Sequence, residues 1–243
     1  MVSSITLKNL IIGYRSKHQL RAIASPVHAS LQAGELTCLI GANGVGKSTL
    51  LRTLAGFQPA LDGEILIQDK SLSDFSAQEL AREISIVLTS KTDHAQLSAE
   101  EIVGIGRSPY TGFWGTLSAA DKQIVASALQ ETGIQHLAQR NISELSDGER
   151  QKVMIAKALA QQTRIIILDE PTAFLDFPSK IETLQMLRHL AHEQHKSILL
   201  STHDVELALQ LSDRLWLMEE SRFSIGTTES DRKSGSAGMP RPI

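Results

Sequence analysis

The chain has 243 residues, 42% of them hydrophobic, and sets 24 Lys and Arg against 27 Asp and Glu for a net charge of −3. That length suits one large domain or two small lobes around a sizeable core, and the slight acidity excludes a global basic field that would draw the chain to nucleic acid or anionic lipid. No apolar stretch approaches the roughly 20 residues that span a bilayer, the start of the chain lacks a signal peptide's apolar block, and the lone Cys38 cannot pair within the chain, so the expectation is a cytoplasmic protein.

Ile5, Leu7, Leu10 and Ile12 alternate with polar residues as one or two half-buried strands before Gly13 and Tyr14,. Further strand-like runs at 27–31 and 64–68, with turn residues at Ala33-Gly34 and Asp62-Gly63, favour antiparallel pairing in this first lobe,. Tyr14 is open to two readings, a ring that stacks on a purine face or a packing residue at a strand end. The apolar run 36–40 leads into Gly41-Ala42-Asn43-Gly44-Val45-Gly46-Lys47-Ser48-Thr49, a full match to G-x-x-x-x-G-K-[S/T], and a helical stretch follows to Ala55,. Strand, loop and helix are the setting this motif needs. Its glycines let successive N–H groups turn toward phosphate oxygens, Lys47 reaches the β- and γ-phosphates, and Ser48 offers a hydroxyl to Mg²⁺. ATP and Mg²⁺ are thus the expected ligands.

Ser76-Ala77-Gln78-Glu79 is a capping box opening a helix to about Glu83, and a strand follows over 84–88,. From Ser98 to about Ala138 the pattern is almost free of β runs, and Ser118 caps a helix that ends before Gly133,. These features predict a mostly helical insertion over about 90–145. Inside it, Gly112-Phe113-Trp114-Gly115 is either a packed corner or an exposed docking surface,.

Leu145-Ser146-Asp147-Gly148-Glu149 runs into a helix that reaches Gln161, with Ser146 as its cap,. The continuous apolar run Ile165-Ile166-Ile167-Leu168 marks a strand buried on both faces of a parallel sheet and ends in Asp169 and Glu170, at the edge where open α/β sheets bind ligands,. There Asp169 suits Mg²⁺ and Glu170 suits the polarisation of an attacking water. After Pro171 to Asp176 comes a helix from about Ser179 to Gln194. A second buried strand, 197–201, brings Thr202 and His203 to the same edge. His189, His192 and His195 drift around their helix without a fourth ligand and read as a solvated face,. One more strand covers 214–219, and residues 227–243 contain nothing that can pack, so a disordered tail without functional role is expected there,.

With Gly41–Thr49, Leu145–Glu149, Ile165–Glu170 and His203 in that order, residues 2–226 resemble an ATP-binding-cassette (ABC) ATPase. The resemblance implies an α/β fold: a P-loop NTPase core with a mostly parallel sheet, an N-terminal antiparallel β subdomain and an inserted α-helical subdomain, all in one cassette over 1–226. It implies that Tyr14 stacks on adenine, that Glu170 and His203 are catalytic, and that Asp176 belongs to the nucleotide site. It also implies that Ser146 and Gly148 of one copy cover the ATP held by Gly41 to Thr49 of a second copy in a head-to-tail dimer. Within the family, Gly106-Arg107-Ser108-Pro109-Tyr110-Thr111-Gly112 resembles importers of iron chelates, haem and vitamin B12. The implied assembly is a peripheral ATP-hydrolysing subunit on the inner face of the membrane. It is docked through its helical insertion on two permease subunits, served indirectly by an extracytoplasmic substrate-binding protein, and has no nucleic-acid partner. Two other readings share the same motifs, a soluble non-transport ATPase of the family and a weakly hydrolytic regulatory subunit.

The chain departs from the family pattern at three places. Thr89, followed by Ser90, stands where a metal-contacting glutamine is usual; its hydroxyl could still meet Mg²⁺ or water. Asp147 replaces a glycine and Glu149 a glutamine in the signature, and Asp147 adds negative charge beside a site meant for a γ-phosphate. The tail after Gly226 does not continue as the family does.

Overall fold

The computed structural model describes residues 3–15, 20–23, 26–88, 96–112, 114–220 and 222–227. In chain order the elements are β1 (Ser3–Ile11), β2 (Gly13–Arg15), β3 (Leu20–Ala22), β4 (Val27–Gln32), β5 (Leu36–Ile40), α1 (Lys47–Leu54), β6 (Asp62–Ile67), β7 (Lys70–Ser71), α2 (Ala77–Glu83), β8 (Ile84–Val87), α3 (Ala99–Ile105), α4 (Ala119–Glu131), α5 (Asp147–Ala160), β9 (Ile165–Leu168), α6 (Phe177–Gln194), β10 (Ser197–Thr202), α7 (Val205–Leu211), β11 (Arg214–Met218) and β12 (Phe223–Thr227).

The alternating N-terminal segments form the antiparallel sheet β4-β1-β6-β7, while β2 and β3 make a separate hairpin. The continuous apolar runs form a six-stranded sheet of order β12-β11-β5-β10-β9-β8, parallel except for the edge strand β12. Its strands are apolar on both faces because both are covered. Leu36, Cys38, Ile40, Ile166 and Leu168 pack among α3 to α7, and Leu39, Ile165, Ile167 and Leu199 pack with α1 and the antiparallel sheet. Burial pushes the Cys38 thiol up to about 12,.

Between β8 and β9 the chain builds α3, α4 and α5, which pack on one another. Arg107 is the polar core of this insertion. Its guanidinium is almost fully buried and donates to Asp121 Oδ1 (2.8 Å), to the Ala160 carbonyl (2.8 Å) and to Gln162 Oε1 (3.0 Å), 4.1 Å from the Tyr110 ring. Hydrogen bonds from Ser118 and then Arg107 lower the Asp121 pKa to about 2,. Of the two readings of 112–115, a packed corner or an exposed surface, Trp114 at 86% exposure fits the exposed one; Phe113, Thr89, Ser90 and the tail from residue 228 lie outside the described residues.

Helix boundaries follow their caps more closely than their apolar pattern. Helix α5 begins at Asp147 because Ser146 and Glu149 close a capping box, and α6 begins at Phe177 because Asp176 Oδ1 accepts the Ser179 N–H, with Pro178 in the first turn,. The strand β12 was not evident in the sequence, since its pattern is irregular and its partner β11 supplies the pairing.

Candidate functional site

Strand register assembles the site. β10 lies between β5 and β9, with Thr202 opposite Ile40 and Leu200 opposite Leu168. The loop at 41–46, the pair Asp169 and Glu170, and His203 therefore leave the sheet side by side at its carboxyl edge, where α/β folds bind ligands.

The phosphate loop is set by two glycines in particular. Gly46 holds φ 114°, and a Cβ there would collide with Ile23 Cγ2; a Cβ at Gly41 would collide with the Met218 carbonyl. Of the seven described α-helices, six are capped by a side-chain oxygen, from Ser76, Ser98, Ser118, Ser146, Asp176 and Asp204. Helix α1 is the exception: its cap is Gly46, without a side-chain hydrogen bond, and its first turn carries no acid. Its N-terminal amides are thus left for an external anion, reinforced by the helix dipole.

Lys47 is 5% exposed and donates to the carbonyls of Gly41 (2.8 Å) and Ala42 (3.3 Å). Its Nζ lies 3.7 Å from Glu170 Oε1, and Glu170 Oε2 lies 3.6 Å from His203 Nδ1. Three of the sequence-predicted residues thus stand in one line, cation, carboxylate and imidazole. Ser48 follows Lys47 in the first turn of the same helix and is half-buried. Asp169 is buried; Ser201 Oγ donates to its Oδ1 (2.7 Å) and accepts the Glu170 N–H (2.9 Å). Ser201 carries no motif. The only trace of it in the sequence is a hydroxyl late in an otherwise apolar strand.

The Tyr14 hydroxyl hydrogen-bonds the Thr49 hydroxyl at 3.0 Å while the residue stays 53% exposed, which places an aromatic ring beside the start of α1. Asn43 and Gly44 are exposed on the loop, Ala42 likewise, and Val45 is buried beneath it. The other predicted residues lie apart from this line. Ser146 is exposed at the start of α5, and its hydroxyl is engaged with Glu149, donating to Oε2 at 2.8 Å and accepting the Glu149 N–H at 3.3 Å. The Ser146 backbone N–H, which donates to the same Oε2 at 2.8 Å, and then the hydroxyl lower the Glu149 pKa. The Asp147 carboxylate turns back to Arg150 Nη2 at 2.7 Å, which offsets part of its charge. Gly148 faces Leu175 and Ser179, so the signature helix adjoins the loop that carries Asp176.

A cleft of about 840 Å³ opens between the antiparallel sheet and the insertion, lined by Phe57, Leu72, Phe75, Leu80, Ile105 and Pro109 among others. Among the described residues, no helix is long and apolar enough to cross a membrane.

A family model described as "ABC transporter" matches residues 24–173. An uncharacterized ABC transporter ATP-binding protein of Methanocaldococcus jannaschii is 39% identical over 88% of this chain and 73% of its own length. The iron(3+)-hydroxamate import ATP-binding protein FhuC of Bacillus subtilis is 36% identical over 88% and 77%, and the cobalamin import ATP-binding protein BtuD of Halobacterium salinarum is 36% identical over 91% and 52%. Among solved structures, an inward-facing putative metal-chelate type ABC transporter superposes with TM-score 0.80 at 28% identity, covering 94% of this chain and 84% of its own. A dimeric bacterial ABC transporter cassette gives 0.79 at 25% identity, covering 92% and 98%. Motif order, strand register and these matches agree: the chain is an ATP-binding, ATP-hydrolysing member of the ABC transporter family.

Proposed function

We propose that this chain is the ATP-hydrolysing subunit that powers an importer of iron-siderophore, haem or cobalamin. The observation that carries the reading is the convergence of Lys47, Glu170 and His203 at one sheet edge, with Asp169 beside them. The choice among substrates of the family is supported by the likeness to hydroxamate and cobalamin import subunits and by the stretch from Gly106 to Gly112.

In this reading the amides of 41–49 and Lys47 cradle the ATP phosphates, and the Tyr14 ring meets the adenine. Glu170 takes the proton of the attacking water, and His203 orients the water or a γ-phosphate oxygen. Ser48 and Asp169 are hard oxygen donors beside the phosphate loop, the donor chemistry Mg²⁺ prefers, and Asp169 is already oriented by Ser201,. When bound there, Mg²⁺ neutralises charge on the β- and γ-phosphates. Thr89 would complete the donors.

Ser146 and Gly148 serve the nucleotide of a second copy, with Asp176 in the adjoining loop, so that two copies close head to tail on ATP. The cleft beside the insertion takes a segment of a membrane permease, which holds the subunit on the inner face of the membrane; an external binding protein delivers substrate to that permease. Purified protein should hydrolyse ATP and lose turnover in Lys47→Ala, while Glu170→Gln should accumulate as an ATP-bound dimer on size exclusion. A Glu170→Gln protein that stays monomeric with saturating MgATP would refute the clamp.

A further inference from the structure

Ser201 is fully buried near the end of β10, the strand that separates the phosphate-loop strand from the strand bearing Asp169 and Glu170. Its single hydroxyl does two jobs, donating to Asp169 Oδ1 (2.7 Å) and accepting the backbone N–H of Glu170 (2.9 Å). Asp169 is anchored a second time, through its own N–H to the Val87 carbonyl (2.8 Å). Glu170 meanwhile sits at φ 47°, a left-handed conformation that costs a non-glycine residue free energy and persists only where its surroundings hold it,. That turn is what separates the two neighbouring carboxylates: Asp169 stays under the sheet edge, and Glu170 swings toward Lys47 and His203.

We infer that Ser201 is a positioning residue for both acids, fixing the Asp169 carboxylate for the divalent cation and holding the Glu170 backbone in the turn that aims its carboxylate at the attacking water. The inference rests on the roles proposed above for Asp169 and Glu170. Chemistry limits what can stand there. An acceptor for the Glu170 N–H and a donor to Asp169 must come from one small buried group, which a hydroxyl supplies and an alkyl side chain does not. The contrast within the same strand is Ser197, whose hydroxyl donates to Ser4 Oγ, far from the acids.

The test uses the full chain and three measurements: steady-state ATPase against MgCl2 at saturating ATP, Mn²⁺ binding to the protein–ATPγS complex by electron paramagnetic resonance, and ATP affinity in EDTA. Removing an outer partner of a metal-ligating carboxylate typically weakens metal binding or activity about 10- to 100-fold. Ser201→Ala should raise the half-saturating Mg²⁺ concentration and the Mn²⁺ dissociation constant by about that range and lower kcat comparably, with ATP affinity in EDTA held within about twofold. Ser201→Cys, which keeps the shape of the side chain at a somewhat larger size and offers a weaker donor and acceptor, should move the same parameters in the same direction, and it carries the comparison if Ser201→Ala does not fold. Metal dependence within twofold of wild type in the folded variant overturns the inference, as does an equal fall of ATP affinity in EDTA, which marks general damage. Wild-type protein with no Mg²⁺-dependent ATP binding would instead overturn the ATPase roles on which the inference stands.

Discussion

Gly46→Ala tests whether the phosphate loop is set by backbone geometry. Gly46 holds φ 114° at the entry to α1, and an added Cβ would collide with Ile23 Cγ2 and come 3.0 Å from Met218 Cε. Two costs follow. The conformation itself is worth about 1–3 kcal/mol against any non-glycine residue. The contact adds about 1–3 kcal/mol of overpacking, because Ile23 is β-branched and stiff, whereas the end of Met218 can move. The sum, about 2–6 kcal/mol, is a large part of the ordinary stability of a domain. Relaxing it by shifting the loop displaces the amides that face the phosphates, and each 1.4 kcal/mol lost there weakens binding about tenfold. Urea unfolding followed by the fluorescence of buried Trp216 measures the first quantity, and titration with a fluorescent ATP analogue measures the second. A cycle with Ile23→Ala separates the two costs: relief of the collision should appear as a coupling of about 1–3 kcal/mol, with the φ cost remaining in the double variant. Coupling below about 0.5 kcal/mol, or a Gly46→Ala protein that binds ATP as wild type does, would refute the steric account.

The depressed Asp121 pKa sets a pH dependence. Its carboxylate is stabilised only in the folded state, so that contribution is present above the ordinary carboxylate range and fades as pH falls from about 4 toward 2,. Asp121→Asn should therefore be less stable than wild type at pH 7 by urea midpoint, and the gap should narrow through pH 3 and close toward pH 2,. Cys38, held protonated by burial, should not react with a disulfide reagent at pH 8 in the native protein and should titrate as one thiol in 6 M guanidinium,. Arg150→Ala leaves the exposed Asp147 charge uncompensated beside Ser146 and Gly148, the residues proposed above to serve the nucleotide of a second copy. ATP-driven dimerisation on a Glu170→Gln background should weaken a few-fold at 50 mM NaCl and recover in part at 0.5 M, where an exposed charge is screened,.

Local chemistry made much of this molecule legible in its sequence. The glycine pattern around Lys47 announces a loop with φ values that only glycine holds easily, and the unbroken apolar runs before Asp169 and His203 announce strands covered on both faces, because an alternating strand would leave one face wet. Capping signals were equally direct at Ser76, Ser118 and Ser146, each of which closes a box with an acid three residues on, while the same box at Ser98 emerged from the structure. What the chain alone left open was decided by pairing between distant segments. Strand order puts β10 between β5 and β9 and so turns three separate motifs into one edge. It also gives Ser201, unremarked in the sequence, two neighbours that lie 32 and 31 positions away along the chain. The partner of Asp147 is local by contrast, since Arg150 lies three residues on along the same helix, within reach of the Asp147 carboxylate,. Propensities, caps and glycine geometry act within a few residues and can be read from the sequence. Register, the burial of Arg107 and the aim of a carboxylate depend on which surfaces meet, and only the folded chain fixes that,.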